Sequence, residues 1–379
     1  MNVAFTNARV FTGDAVLDGP AVLTEAGTII GLAAEVPDGY ETTDLRGLSL
    51  APGLVDLQVY GGQGRLFTTE PTPDVIAATH AEHRRGGTTH FQITYHTAPL
   101  AGMIEAADAC RRYLARAGAG LLGLHLEGPY FNPAKRGAHL ARYVRVPDEA
   151  ELRTLLDATA GLPTFLTLAP EMLPETQWEA LLNSPIRLSA GHSGATYRQA
   201  REAFSRGIGL VTHLFNAMSP LESRAPGLVG AAFDSDVHAS IIVDGIHVDY
   251  AAVRIARRIM GERLFFITDA VTEDPRGEYP FRFNQERQRF EDEAGTLSGS
   301  ALTMMEAVRN GVRHVGIPLD EALRMASTVP ARLVGQGGRL GRIAPGYEAS
   351  FVLFDDALTV RGVVERGYLE GFANAGSRA

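Results

Sequence analysis

The chain has 379 residues, 45% hydrophobic and 21% charged, a composition that lets a globular protein bury a large core. Its formal net charge of −9 excludes nucleic acid and anionic membrane surfaces as expected partners, so an anionic ligand needs a local basic site. No apolar run approaches the roughly 20 residues that cross a bilayer, and the single cysteine, Cys110, cannot form an intrachain disulfide, which suits a reducing compartment. The first residues alternate in polarity and lack the basic and apolar regions of a secretory signal, so the expected location is cytoplasmic.

Taken in order, residues 1–50 read as short strands at 3–11, 21–25, 28–32 and 48–51, with turn signals at Gly13-Asp14 and Ala26-Gly27. The far end repeats this pattern, with strands at 349–354 and 360–366. Between them run eight strands, at 54–59, 89–94, 121–126, 164–168, 187–190, 209–212, 239–243 and 264–268. Amphipathic helices separate most of these, at 73–85, 100–117, 148–159, 175–182, 197–206 and 250–261. A polar stretch at 273–294 reads as an excursion, and helices at 303–315 and 319–326 follow. Eight strand–helix alternations point to the α/β class and a (β/α)8 TIM-like barrel. An open doubly wound sheet is the alternative, but no G-x-G-x-x-G follows the first strand. The expected domains are a catalytic barrel over 52–334 and a small β-sandwich formed by 1–51 with 335–379.

A barrel of this kind keeps its chemistry at the C-terminal strand ends. The third strand breaks at Glu127-Gly128-Pro129, and the loop beyond bears Lys135, Arg136 and His139, all usable on an anionic or carbonyl substrate. Strand five runs into His192, strand six into His213 and strand eight into Asp269. One glutamate and two histidines form the donor set of a catalytic zinc site that leaves a position for water; iron or manganese accepts the same ligands. Asp269 then has the task of taking a proton from water acidified by the cation and returning it to a leaving group. Its other readings are a fourth ligand or a helix cap. On the first strand Gln58 and Tyr60 stand where many metal hydrolases of this architecture place two histidines, so a single metal is expected. Arg224 and His247, helped by Asn216 and nearby backbone N–H groups, suit a phosphate; the alternative is surface charge, with Asp249 capping a helix. His96 flanks the second strand without an assigned role, and His125 shares a strand face with Glu127.

The segments PGLVDLQVYGG, GLHLEGPYFNPAKRGAH, AGHSGATYRQA, THLFNAMSPLESRAPGL, DGIHVDY, TDA and GTLSGSALTMMEAVRN occur in this order. Together they resemble the N-acetylglucosamine-6-phosphate deacetylases of the amidohydrolase superfamily over essentially the whole chain. The resemblance implies a barrel with a terminal β-sandwich, a homodimer, and one divalent metal ion per subunit on Glu127, His192 and His213, zinc before iron or manganese. It implies Asp269 as general base and acid, and His139 polarising an acetyl carbonyl. Asn216, the Ala217 backbone, Arg224 and His247 would hold a sugar phosphate, the last two from the neighbouring subunit. Leu302 would lie in a segment, 297–304, that closes over the acetyl group. The implied substrate is a small phosphosugar, whose acetamide is hydrolysed. The alternatives are the galacto epimer, another acetamido sugar, or a scaffold without catalysis. The Gln58-Val59-Tyr60 stretch departs from the pairs seen in the family and weighs further against a second metal.

Overall fold

The computed structural model describes residues 2–372, which divide by contact density into a unit of 57–80 with 91–302 and a unit of 2–56, 81–90 and 303–372. Residues 373–379, assigned above to the terminal domain, lie outside the described residues.

Eight strands form one parallel sheet: β1 (Leu54–Val59), β2 (Thr88–Tyr95), β3 (Leu121–Glu127), β4 (Thr164–Leu168), β5 (Arg187–Ala190), β6 (Leu210–Val211), β7 (His238–Ile241) and β8 (Leu264–Phe266). Neighbours in the sheet are neighbours in sequence, and a parallel bridge between Val59 and Ala270 brings the chain beyond β8 back to β1. The sheet is thus a nearly closed barrel, as expected. Every residue of β1, β2 and β3 is buried, the pattern of parallel strands covered on both faces, although β1 carries Asp56 and Gln58 and β2 carries His90 and Gln92 inside that burial.

Strands β6 and β8 are shorter than the expected 209–212 and 264–268. The chain past three strand ends turns into the left-handed region, with φ of 49° at His192, 37° at His213 and 55° at Asp269. Non-glycine residues adopt that region at a cost, commonly where function requires it. Here it takes the side chains out of the ladder and aims them across the rim.

The helices Glu175–Leu182 and Tyr197–Arg206 match their expected spans, the second opening with a capping box of Thr196 and Gln199. Two helices were not expected. Gly227–Phe233, of sequence GLVGAAF, is apolar on all sides and holds two glycines. Its burial overrides a glycine penalty of roughly 1 kcal/mol per residue. Thr328–Leu333 contains Pro330 and is likewise largely buried. The polar excursion contains a hairpin, Arg282–Asn284 with Arg289–Glu291.

The chain termini build two sheets. One orders Thr28–Ala33, Ala21–Glu25, Asn2–Thr6 and Glu41–Asp44; the other orders Tyr368–Gly371, Val360–Glu365, Phe351–Phe354, Ser49–Pro52, Arg9–Phe11 and Val16–Asp18. Phe5, Val10, Ile29, Leu50, Phe351 and Val364 share one core between them, with Phe5 edge-on to Phe351 at 5.7 Å. Both ends therefore make one small β domain. The expected strand 3–11 is broken at Asn7, which turns left-handed (φ 53°) and donates from Nδ2 to Asp44 Oδ1 at 2.9 Å.

This unit also sets an acid limit on stability. Burial raises the Glu348 carboxyl, but the His90 imidazole at 3.3 Å, the Ser350 hydroxyl at 2.7 Å and the Arg339 guanidinium outweigh it and hold the pKa at about 2. A folded pKa below the unfolded one stabilises above the unfolded value, and that stability is lost as pH falls through the folded one. Thermal melts should therefore show Glu348→Gln destabilised at neutral pH, with the gap to the parent closing between about pH 4.5 and 2. A gap independent of pH in that window would remove the assigned linkage.

Candidate active site and metal centre

Glu127, the last residue of β3, is buried at the barrel rim, and three imidazoles from three other segments meet its carboxylate. His213 Nε2 lies 3.0 Å and His192 Nε2 3.4 Å from Oε1, while His139 Nε2 lies 3.1 Å from Oε2. The two imidazoles past β5 and β6 also face each other, Nε2 to Nε2, at 3.1 Å. All four side chains line a cavity of roughly 350 Å³, together with Asp269.

The far nitrogen of each ring tells the imidazoles apart. His192 Nδ1 is 2.9 Å from the Lys135 carbonyl, which only accepts, so Nδ1 holds the proton and Nε2 presents a lone pair to the centre. His139 Nδ1 receives the Thr97 N–H at 3.4 Å, so its proton is on Nε2 and points inward as a donor. His213 Nδ1 is buried without a partner among the described residues. Glu127, His139 and His192 can bring one ligand atom each within 4.8 Å of one another. The tautomers separate the two rings of that group, His192 offering a lone pair at Nε2 and His139 a proton, while Glu127, His192 and His213 also lie within ligand spacing of one another. Their edges of 3.0, 3.1 and 3.4 Å approximate those of a tetrahedron with bonds of about 2.0–2.1 Å, for which the edge is about 3.3–3.4 Å. The donor set and spacing fit a divalent cation.

The first strand contributes more than an absent second metal. Gln58 Nε2 reaches Asp269 Oδ1 at 2.6 Å, Tyr60 Oη at 2.8 Å and Glu127 Oε1 at 2.9 Å. Tyr60 donates its hydroxyl proton to Glu127 Oε2 in a short bond, and the Asp269 backbone N–H donates to the Gln58 carbonyl at 3.0 Å. These two side chains occupy the ground next to Glu127 and brace both carboxylates.

Electrostatics divide the carboxylates. Burial and then the negative charge of Glu127 push the Asp269 carboxyl up to about 7, whereas for Glu127 the opposing effect of burial is outweighed by the surrounding imidazoles, which hold it well below the usual range. Burial lowers His192 to about 4. For His213 the same burial is outweighed by its contact with Glu127, and the pKa is raised. One carboxylate stays ionised while the other sits where it can exchange a proton near neutrality, the division of labour acid–base chemistry uses.

Of the residues expected to hold a substrate, Asn216, Ala217 and His247 line the cavity. His247 does so within its own chain, with Nδ1 2.6 Å from Asp244 Oδ2, instead of arriving from a neighbouring subunit. Arg224 is exposed and off the cavity wall. Leu302 is buried just beyond it, donating its N–H to Ser300 Oγ at 3.0 Å, and residues 296–299 form the wall instead. Asp249 is a helix cap, accepting the Ala251 N–H at 2.7 Å. His125 bonds the Leu57 carbonyl at 2.9 Å and Thr167 Oγ1 at 2.7 Å, so it serves the strand scaffold.

Two contributors were missed. His96 lines the cavity, stacked between Tyr60 at 4.0 Å and Tyr279 at 4.5 Å, and its place immediately after β2 was the available signal. The excursion supplies Tyr279 and Phe281, which pack with Tyr60 and Val271, and Phe281 reaches the wall. Its polar composition masked this.

Comparison with known proteins agrees with this geometry. Residues 49–374 match the model of the Amidohydrolase family. The chain is 36% identical over 377 residues to an N-acetylglucosamine-6-phosphate deacetylase of Haemophilus influenzae, covering 97% of this chain and 99% of that relative. It is 35% identical to an N-acetylgalactosamine-6-phosphate deacetylase of a Shewanella species, covering 93% and 95%. The crystal structure of N-acetylglucosamine-6-phosphate deacetylase from Pasteurella multocida superposes with a TM-score of 0.92 at 35% identity, covering 98% of this chain and all of that one. The barrel, the carboxylates and imidazoles gathered at its strand ends and a match over nearly the whole chain lead to one conclusion: this chain belongs to the amidohydrolase family.

Proposed function

We propose that the protein hydrolyses the acetamide of N-acetylglucosamine 6-phosphate, giving glucosamine 6-phosphate and acetate. The observation that supports this most directly is Asp269 opposite a Glu127–His192–His213 cluster in one cavity, in a chain so similar to deacetylases of acetamido sugar phosphates. Glu127, His192 and His213 hold one divalent cation, zinc first, and the cation supplies water acidification and carbonyl polarisation. His139 donates Nε2–H to the acetyl oxygen as negative charge develops there. Asp269 removes a proton from the attacking water and delivers it to the sugar nitrogen, so the amine leaves and acetate remains. Gln58 and Tyr60 keep the two carboxylates apart and oriented. Asn216, the Ala217 backbone, Arg224 and His247 bind the sugar phosphate.

The reading includes a homodimer in the cytoplasm. Leu221 and Ile246 are exposed on the loops that bear Arg224 and His247, and Ile255 and Ile259 are exposed on the helix Tyr250–Met260 that follows, apolar side chains a second copy can cover. Arg224 then reaches its neighbour's cavity. The catalytic domain is taken as 52–334 and the β-sandwich as 1–51 with 335–379. Among the described residues no helix is long and apolar enough to cross a membrane.

Chelation followed by metal add-back is the test, with acetate release measured on N-acetylglucosamine 6-phosphate, its galacto epimer and unphosphorylated N-acetylglucosamine. Activity should vanish on chelation, return with one equivalent of zinc per chain, and favour the gluco phosphosugar. The Shewanella relative gives the galacto arm its weight. Failure of every acetamido sugar under full metal loading sinks the reading.

A further inference from the structure

Lys135 is the only lysine in the chain; every other residue among the 35 lysines and arginines is arginine. It is also on the cavity wall. No arginine lines that cavity, so among the described residues Lys135 is its one permanently cationic residue, facing a wall that includes Glu127 and Asp269. The adjoining cation is already committed: Arg136 Nη1 donates to the Gly137 carbonyl at 3.0 Å and the His139 carbonyl at 2.8 Å, bracing the loop. No ion pair engages Lys135 among the described residues, and it is half-buried.

The loop is built to hold this residue in place. The Lys135 carbonyl accepts the His192 Nδ1–H at 2.9 Å. Asn132 caps the short helical turn Pro133–Lys135 by accepting the Ala134 N–H at 3.0 Å, and its own Nδ2 donates to Glu171 Oε1 at 2.9 Å. Glu171 also receives the Ser193 hydroxyl at 2.7 Å and the Gly194 N–H at 2.6 Å, so one carboxylate ties this loop to the segment past β5. The position of Lys135 is therefore coupled to a ligand-bearing imidazole by rigid backbone. A compact ammonium on a flexible stem is a point charge that follows a phosphate, where a guanidinium imposes a wide planar fork.

We propose that Lys135 is the residue by which each subunit itself selects a phosphorylated sugar, binding the phosphomonoester through its ε-ammonium. The proposal rests on the deacetylase reading, and it names a cation the chain supplies to its own cavity, whereas Arg224 is off that wall. It also resolves the charge problem set by the sequence, since a chain of net charge −9 needs a local cation for an anionic substrate.

The test compares Lys135→Met and Lys135→Arg with the parent on N-acetylglucosamine with and without the 6-phosphate, with metal content measured on each protein. Losing one charge-assisted bond should reduce the preference for the phosphorylated sugar by about 10- to 100-fold in Lys135→Met, mostly as a rise in KM. Lys135→Arg should recover part of that preference. Unchanged preference in Lys135→Met at parental metal content overturns the proposal. A second readout needs no turnover. In Asp269→Asn, acylation of the sole ε-amine, mapped by mass spectrometry, should be slowed by the phosphosugar and not by the unphosphorylated sugar. Equal acylation with both also overturns it. A parent enzyme inert toward both sugars refutes the deacetylase reading instead, and the acylation arm still decides whether Lys135 binds the phosphate.

Discussion

Asp269→Asn should lower kcat by about 1,000-fold, within the roughly 100- to 10,000-fold span of a lost general acid–base, while the protein keeps its metal. The substitution is nearly isosteric. Gln58 Nε2, now 2.6 Å from Oδ1, can still donate to the amide oxygen, and the Asp269 backbone bonds to Gln58 and Ser300 do not involve the side chain. What disappears is the only buried carboxyl in the cavity whose surroundings push its pKa up to about 7 instead of holding it down. Steady-state kinetics with elemental metal analysis is the measurement. A kcat within tenfold of the parent would remove Asp269 from the proton path; metal loss would make it a ligand.

Glu127→Gln should do the opposite, abolishing activity because the metal leaves. The carboxylate is the only anion in the cluster, with His213 Nε2 at 3.0 Å, His139 Nε2 at 3.1 Å and His192 Nε2 at 3.4 Å. An amide keeps the shape but places an N–H₂ donor among nitrogens and removes the charge that balances the cation. Loss of partners one shell out from a metal weakens binding by about 10- to 100-fold, so loss of a direct anionic ligand should exceed about 100-fold. Dialysis against a metal buffer, followed by metal analysis and activity at saturating zinc, checks it. Parental affinity would show that the cation, if any, is held elsewhere. Together the two variants separate binding the metal from moving the proton.

The amino-acid sequence alone determined the barrel and the direction of its chemistry. Strands covered on both faces are short, mostly buried segments bounded by turn residues, and those bounds are local and visible, so β1, β4 and β5 have their expected spans. The residues just past those segments were legible for the same reason: Glu127, His192, His213 and Asp269 follow apolar stretches that can end at only one side of a barrel. The tertiary structure decided what depends on partners distant in sequence. It separated His139, a donor because Thr97 fills its other nitrogen, from His192, an electron-pair donor because Lys135 does. It turned Gln58 and Tyr60 from missing histidines into the braces of two carboxylates, brought Phe281 of a polar excursion to the cavity wall, and left Arg224 off it. The proton on a ring nitrogen, and the wall of a cavity, are fixed by the atoms that fold against them, and no window of local sequence contains those atoms.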